Sequence, residues 1–258
     1  SMASLCEALL AMDEGHSTQH FGRRIRTLQR VRTHWCLCEE GNDWQLRGTR
    51  MVLSGSLLAH PRSLAMLAWQ VVPLREAVPA GQDPDLDQVL ETLARSRAEV
   101  RWNLMLDLPL NGEQLPRQIW LTPEAQAQWR VERLVLQPQA DNRTGLVVHG
   151  LDSGVPITPE SQPVLLRQEE KRLRQQLPEL LNPWPELQSA CEQAESLGVM
   201  RWGASQPLDH PLARSLQWCD ASAVGFCGDY VDGPGFGRAE GALRSAVDLA
   251  EHLVTLTP

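Results

Sequence analysis

The stretch from Ala223 to Leu253 restricts the fold more than any other part of the chain. An apolar run, Ala223 to Cys227, reads as a strand. Gly228-Asp229 follows, then a turn holding Gly233, Gly235 and Gly237, then a helical pattern from about Arg238 to Leu253. Within that pattern Ala239, Ala242, Leu243, Ala246, Leu249, Ala250 and Leu253 recur at i, i+3, i+4 spacing, the mark of an amphipathic helix. The helix N-terminus offers unpaired N–H groups and a partial positive charge. Such an end receives a phosphate or an electron-rich carbonyl. Asp229, at the strand end, can accept hydrogen bonds from sugar or polyol hydroxyls, and the small residues let another backbone or a flat ligand come close. The glycines are not spaced as G-x-G-x-x-G, so this is not the dinucleotide fingerprint. The same residues also fit a plain strand–turn–helix with a glycine corner.

The rest of the chain alternates strands and helices in blocks. Arg24–Arg32, His34–Glu39, Trp44–Gly48 and Met51–Ser54 read as short strands, with a hairpin turn at Gly41-Asn42. Residues 60–76 carry a helical or mixed pattern, and Asp85–Arg97 an amphipathic helix. A second strand group follows: Glu99–Asp107, Gln118–Leu121, Gln128–Leu136 and Gly145–His149, which reads as an antiparallel sheet. Thr158–Leu181 reads as a surface helix ended by Pro183 and Pro185, and Val199–Ala204 as another strand. The expected fold class is therefore α+β.

Composition narrows the function. At 258 residues and 42% hydrophobic, the chain can bury a substantial core. A net charge of −8 argues against a general nucleic-acid binder, and no apolar run is long enough to span a membrane. No secretion signal is visible, and the six cysteines form no C-x-x-C pair, so reduced, mostly buried thiols in a cytoplasmic protein are expected. His34, Cys36 and Cys38 alternate along one strand and span too far for a single zinc ion. Asp209-His210, flanked by prolines, reads as a rigid turn before it reads as a base with its orienter.

The segment Gly225-Phe226-Cys227-Gly228-Asp229 through Gly241-Ala242-Leu243-Arg244-Ser245-Ala246 resembles the C-terminal flavin-binding motif of the FAD-dependent amine oxidase superfamily, most closely its renalase-like branch. Val199–Pro207 is similar to the strand that these enzymes place beside the isoalloxazine; Met2–Leu5, Ile25 and Met51–Ser54 resemble parts of their cofactor domain. The family's N-terminal G-x-G-x-x-G unit has no counterpart here. The resemblance thus implies an incomplete FAD-binding domain from residues 1–59 and 201–258, and an antiparallel-sheet substrate domain with helices from 60–200.

FAD is the implied cofactor. Asp229 would bind its ribityl chain, Ala242 and its neighbours would point N–H groups at the pyrimidine edge, and Gly228, Gly235 and Gly237 would permit close approach. Ile25 would reach the adenine through its backbone, and Trp202 would be the catalytic-pocket residue, packing near the flavin or walling the substrate. The implied reaction passes a hydride from a small reduced substrate, such as a dihydronicotinamide isomer, to flavin and on to dioxygen. The alternative is a non-catalytic remnant that binds a partner or small ligand without flavin. Sheet left uncovered by the absent unit is expected to expose an apolar face or edge and to promote self-association.

Overall fold

The computed structural model describes residues 2–13, 16–39, 41, 43–67, 69–139, 141–155, 157–158 and 160–256. Asn42 of the expected hairpin turn lies outside them. Helix α1 (Met2–Ala11) precedes an antiparallel meander of β1 (Ile25–Val31), β2 (His34–Glu39) and β3 (Gln45–Gly48). Strand β4 (Met51–Leu53) leaves that meander, and helices α2 (Arg62–Leu67), α3 (Pro73–Ala77) and α4 (Pro84–Arg95) follow. The middle of the chain forms β5 (Ala98–Leu108), β6 (Gln118–Trp120), α5 (Pro123–Trp129), β7 (Val131–Pro138), β8 (Thr144–Leu151), α6 (Gln162–Leu180), α7 (Pro185–Glu192) and β9 (Glu195–Pro207). The chain then returns through β10 (Trp218–Cys219), β11 (Val224–Phe226) and α8 (Ala239–Thr255). The mixture of helices with antiparallel sheets is α+β. Among the described residues no helix is long and apolar enough to cross a membrane.

Five antiparallel strands order as β6-β7-β8-β5-β9. The two-residue period of the pleat sends Leu104, Leu106, Leu134, Leu136, Leu146 and Val148 to one face. There they pack against Leu173 and Leu177 of α6 and Leu187 and Cys191 of α7. Arg101, Asn103, Arg133 and His149 are left on the opposite face by the same alternation. Two expectations change in this region. Gln128 and Trp129 close α5 rather than opening a strand: Thr122 caps that helix, Pro123 sits at its first position, and Arg130 ends it with φ +50°. Pro185 likewise starts α7, since a proline at a first helical position loses no hydrogen bond.

A second core gathers Leu28 and Trp35 from the meander, Met51 and Leu53 from β4, and Val224, Phe226 and Tyr230 from the C-terminal segment. Leu74, Leu86, Val89 and Leu93 of α3 and α4 belong to it too. The helices α3 and α4 thus share a core with the N-terminal strands and the C-terminal segment, and the core of the five-stranded sheet begins with β5. Strand β4 pairs in parallel with β11, Val52 opposite Gly225, although about 170 residues separate them. It is an edge of the small sheet β10-β11-β4, and Val52 is 45% exposed there.

Asp83 fastens this core. It is 2% exposed and caps α4 through the backbone N–H groups of Asp85 and Leu86. Its second carboxylate oxygen accepts from the N–H of Ser222, at 2.8 Å, and from the Ser222 hydroxyl. One buried carboxylate thus joins α4 to the turn before β11, with four donors satisfying it. Asp83→Ala removes a helix cap and strands two buried donors, so we expect it to lower the unfolding free energy by about 3 kcal/mol in urea titration. Asp83→Asn, which keeps the acceptor oxygen, should lose less.

Candidate functional site

The strand end at β11 is locked to α8 by side chains. The Ser245 hydroxyl, 3% exposed, accepts from the Gly228 N–H at 2.8 Å and donates to either the Gly228 or the Ala242 carbonyl, at 3.0 and 2.8 Å. The Gln217 amide donates to the carbonyls of Phe226, at 3.1 Å, and Ser245, at 2.8 Å. The glycine turn then folds back on itself: Gly237 N–H donates to the Asp229 carbonyl at 2.8 Å, and Arg238 N–H to Gly235 at 2.9 Å.

Close approach at this corner is between parts of the protein. A Cβ on Gly241 would lie 2.3 Å from the Gly235 carbonyl oxygen, so the turn rests directly on the first turn of α8. A Cβ on Gly228 would sit 2.5 Å from the Tyr230 ring, and one on Gly237 3.1 Å from the Gln206 side chain. Gly235 (φ +84°) and Gly237 (φ +73°) also need left-handed backbone. On the side where a Cβ would stand, Gly228, Gly235 and Gly237 meet Tyr230, the α8 backbone and Gln206 respectively. The Ala242 N–H itself donates to the Arg238 carbonyl at 3.1 Å. The donors left at the tip of α8 are the N–H groups of Ala239, Glu240 and Gly241, because Arg238 supplies no capping side chain.

Asp229 stands beside that tip. Burial pushes its carboxyl pKa up, and its own backbone N–H is the group that favours the anion. Among the described residues its carboxylate has no ion pair and no side-chain hydrogen bond, and it can accept from hydroxyls. Ile25, at the first position of β1, packs against the core that holds Phe226 and Tyr230.

Across the way lies the polar face of the five-stranded sheet. Register aligns Arg133 with His149, His149 with Asn103, and Asn103 with Met200, in one row over four strands; Trp202 pairs with Arg101 in the next. Arg101, Asn103, Arg133, His149 and Trp202 line a hollow of about 240 Å³, with Ser205 and Gln206 also in its wall. Arg101 binds Glu99, at 2.5 Å, and Glu132, at 2.9 Å. The Arg133 guanidinium lies 4.6 Å from the centre of the Trp120 ring. Burial, reinforced by Arg133, pushes the His149 pKa down to about 4, so the imidazole is neutral at physiological pH. Trp202 is 50% exposed at the rim.

Gln206 joins the two halves: it lines the hollow and packs against Gly237 of the corner. The family resemblance singled out Trp202, which borders this hollow, but not Arg101, Asn103, Arg133, His149 or Gln206. Their one signal, a polar residue at alternate strand positions, is also what an ordinary solvated sheet face shows. Asp209 is engaged differently from a catalytic orienter, accepting from the backbone N–H of Arg97, at 2.9 Å, and from its guanidinium, at 2.6 Å. Cys36 donates to the Gln45 side chain at 3.2 Å. A separate hollow of about 280 Å³ beside α8 is bordered by the Arg214–Asp248 ion pair.

No protein-family model matches the chain, and no curated protein does. Solved structures do. A putrescine oxidase with redesigned cofactor binding superposes with a TM-score of 0.56 at 12% identity, over 91% of this chain and 49% of that one. Cyclohexylamine oxidase from Brevibacterium oxydans IH-35A gives 0.51 at 16% identity, over 89% and 48%. A protein described as a protoporphyrinogen oxidase from Exiguobacterium sp. 255-15 gives 0.53 at 12% identity, over 96% and 50%. The chain shares the fold of these oxidases and spans about half the length of each.

The neutral His149 has a measurable consequence. Between its ordinary pKa of 6.5 and its folded value of about 4, the unfolded chain takes up a proton that the folded chain does not. Its contribution to stability is unchanged above pH 6.5 and falls as pH drops through that window, by up to about 3 kcal/mol. We expect the wild type to lose about 2 kcal/mol more than His149→Gln between pH 7 and pH 4.5 in denaturant titrations, the variant cancelling the carboxylates common to both.

Proposed function

We propose that this chain carries the isoalloxazine-side corner and the substrate-binding sheet of an FAD-dependent oxidoreductase of the amine oxidase type, with the renalase-like branch as the narrower assignment. The observation that carries this reading is the contact between Gln206 and Gly237. It sets a helix tip with three free N–H groups and an unpaired carboxylate directly beside a polar hollow large enough for a small substrate. The shared fold of the solved oxidases supports it at the level of architecture.

In this reading Asp229 accepts hydrogen bonds from the ribityl hydroxyls. The N–H groups of Ala239, Glu240 and Gly241 take the pyrimidine edge in place of Ala242, where the helix end favours negative charge. Ile25 offers backbone groups to the adenine, and Trp202 walls the substrate against the ring. Bound flavin supplies hydride acceptance from a small reduced substrate and return of the electrons to dioxygen. Gln206 holds the substrate side and the cofactor side in fixed relation, and the Arg101–Glu132 pair keeps the floor rigid. The glycine corner packed on its own backbone favours a second reading, a flavin-free binding scaffold.

FAD titration followed by flavin fluorescence separates the two. The first reading expects quenching on addition of the protein and at least about tenfold weaker binding by Asp229→Ala, equivalent to about 1.4 kcal/mol. Absence of quenching by the wild type, or equal affinity in the variant, establishes the scaffold reading.

A further inference from the structure

Two residues that line the hollow carry a buried polar atom without a hydrogen bond: Asn103 Oδ1, an acceptor, and Arg133 Nε, a donor that faces Glu132 Oε2 only at ion-pair range, 3.9 Å. Asn103 is 9% exposed. Natural cores rarely leave such groups unpaired, because each forfeits its hydration with nothing in return. Both side chains line the same hollow, on either side of His149 in the row across β7, β8 and β5. Neighbouring strands lie about 4.8 Å apart, so the two backbones are roughly 10 Å from each other, a span that a small planar group reached by both side chains can bridge.

The charges around the hollow select among ligands. Glu99 is committed to Arg101, which is itself nearly buried, and Glu132 is shared between Arg101, at 2.9 Å, and Arg133 Nε, at 3.9 Å. Arg101 and Arg133 balance the two glutamates, and His149 adds no charge. An ammonium group would find no free carboxylate and would face two guanidiniums. A carboxylate could meet Arg133 but would confront the Asn103 carbonyl oxygen and the two glutamates.

We propose that Asn103 and Arg133 form a recognition pair for an uncharged group that carries both an N–H donor and a carbonyl acceptor, an amide, lactam or ureide, on the substrate. The donor meets Asn103 Oδ1 and the carbonyl meets Arg133 Nε, so that both atoms gain the hydrogen bond they lack. Trp202 at the rim offers its ring face to a flat body attached to that group. The pair determines specificity and takes no part in electron transfer. It rests on the reading that this hollow is the substrate side of the site.

Three probes of one shape test it: benzamide, benzylamine at pH 7.5, where it is an ammonium, and benzoate, each titrated calorimetrically into the full chain with FAD present. Benzamide is expected to bind at least about tenfold more tightly than either charged probe. Asn103→Leu and Arg133→Met should each weaken benzamide by about tenfold while FAD quenching stays at the wild-type level. Asn103→Asp, which keeps the shape, should shift preference towards benzylamine. The proposal is overturned if a charged probe binds wild type as well as benzamide does, if benzamide does not bind, or if a folded Asn103→Leu protein retains full benzamide affinity. FAD binding without benzamide binding removes this proposal alone. Benzamide binding without FAD quenching removes the flavin reading and leaves the pair standing.

Discussion

The corner depends on one hydroxyl. Ser245 takes the N–H of Gly228 and returns its proton to a carbonyl of the same corner, so a strand end and a helix are fastened through a group of two atoms. Gln217 repeats the fastening one layer down, against Phe226 and Ser245. Buried donors and acceptors of this kind are costly to leave unmade, which makes their geometry nearly fixed. Everything at the tip of α8 follows from that fixed distance. The glycine turn must lie flat on Gly241, and three N–H groups emerge where, among the described residues, no backbone acceptor reaches them.

Much of this architecture is legible in the chain because local rules decide it. The i, i+3, i+4 spacing of Ala242, Leu249 and their neighbours specifies α8, and the amphipathic pattern after Asp83 specifies α4, whereas the short helix behind Thr122 went unread. The strand alternation of β5 is equally plain, since Trp102, Leu104 and Leu106 must share a face. Pairing between distant segments obeys no such local rule. Nothing in Met51-Val52-Leu53 says that its partner is β11 and not the preceding strand, and nothing in Leu86 or Val89 says that α4 packs with the N-terminal core.

The site was legible in part for the same reason. Asp229 and the glycines announce a corner, but a glycine reports only that something comes close. At Gly235 and Gly241 that something is the other's backbone. The row of Arg133, His149 and Asn103 comes from three strands, and only the register of β7, β8 and β5 assembles it. Each residue alone looks like part of a wet surface. Together they share a hollow, and burial keeps the imidazole uncharged.

The pleat of the five-stranded sheet assigns the two duties of this region to opposite sides. Leucines and valines facing α6 and α7 hold the scaffold up, whereas the residues that could discriminate one small molecule from another stand on the reverse face. A lineage bearing such a sheet can therefore drift in what it recognises while its folding is inherited intact, much as a lock is rekeyed without rebuilding the door.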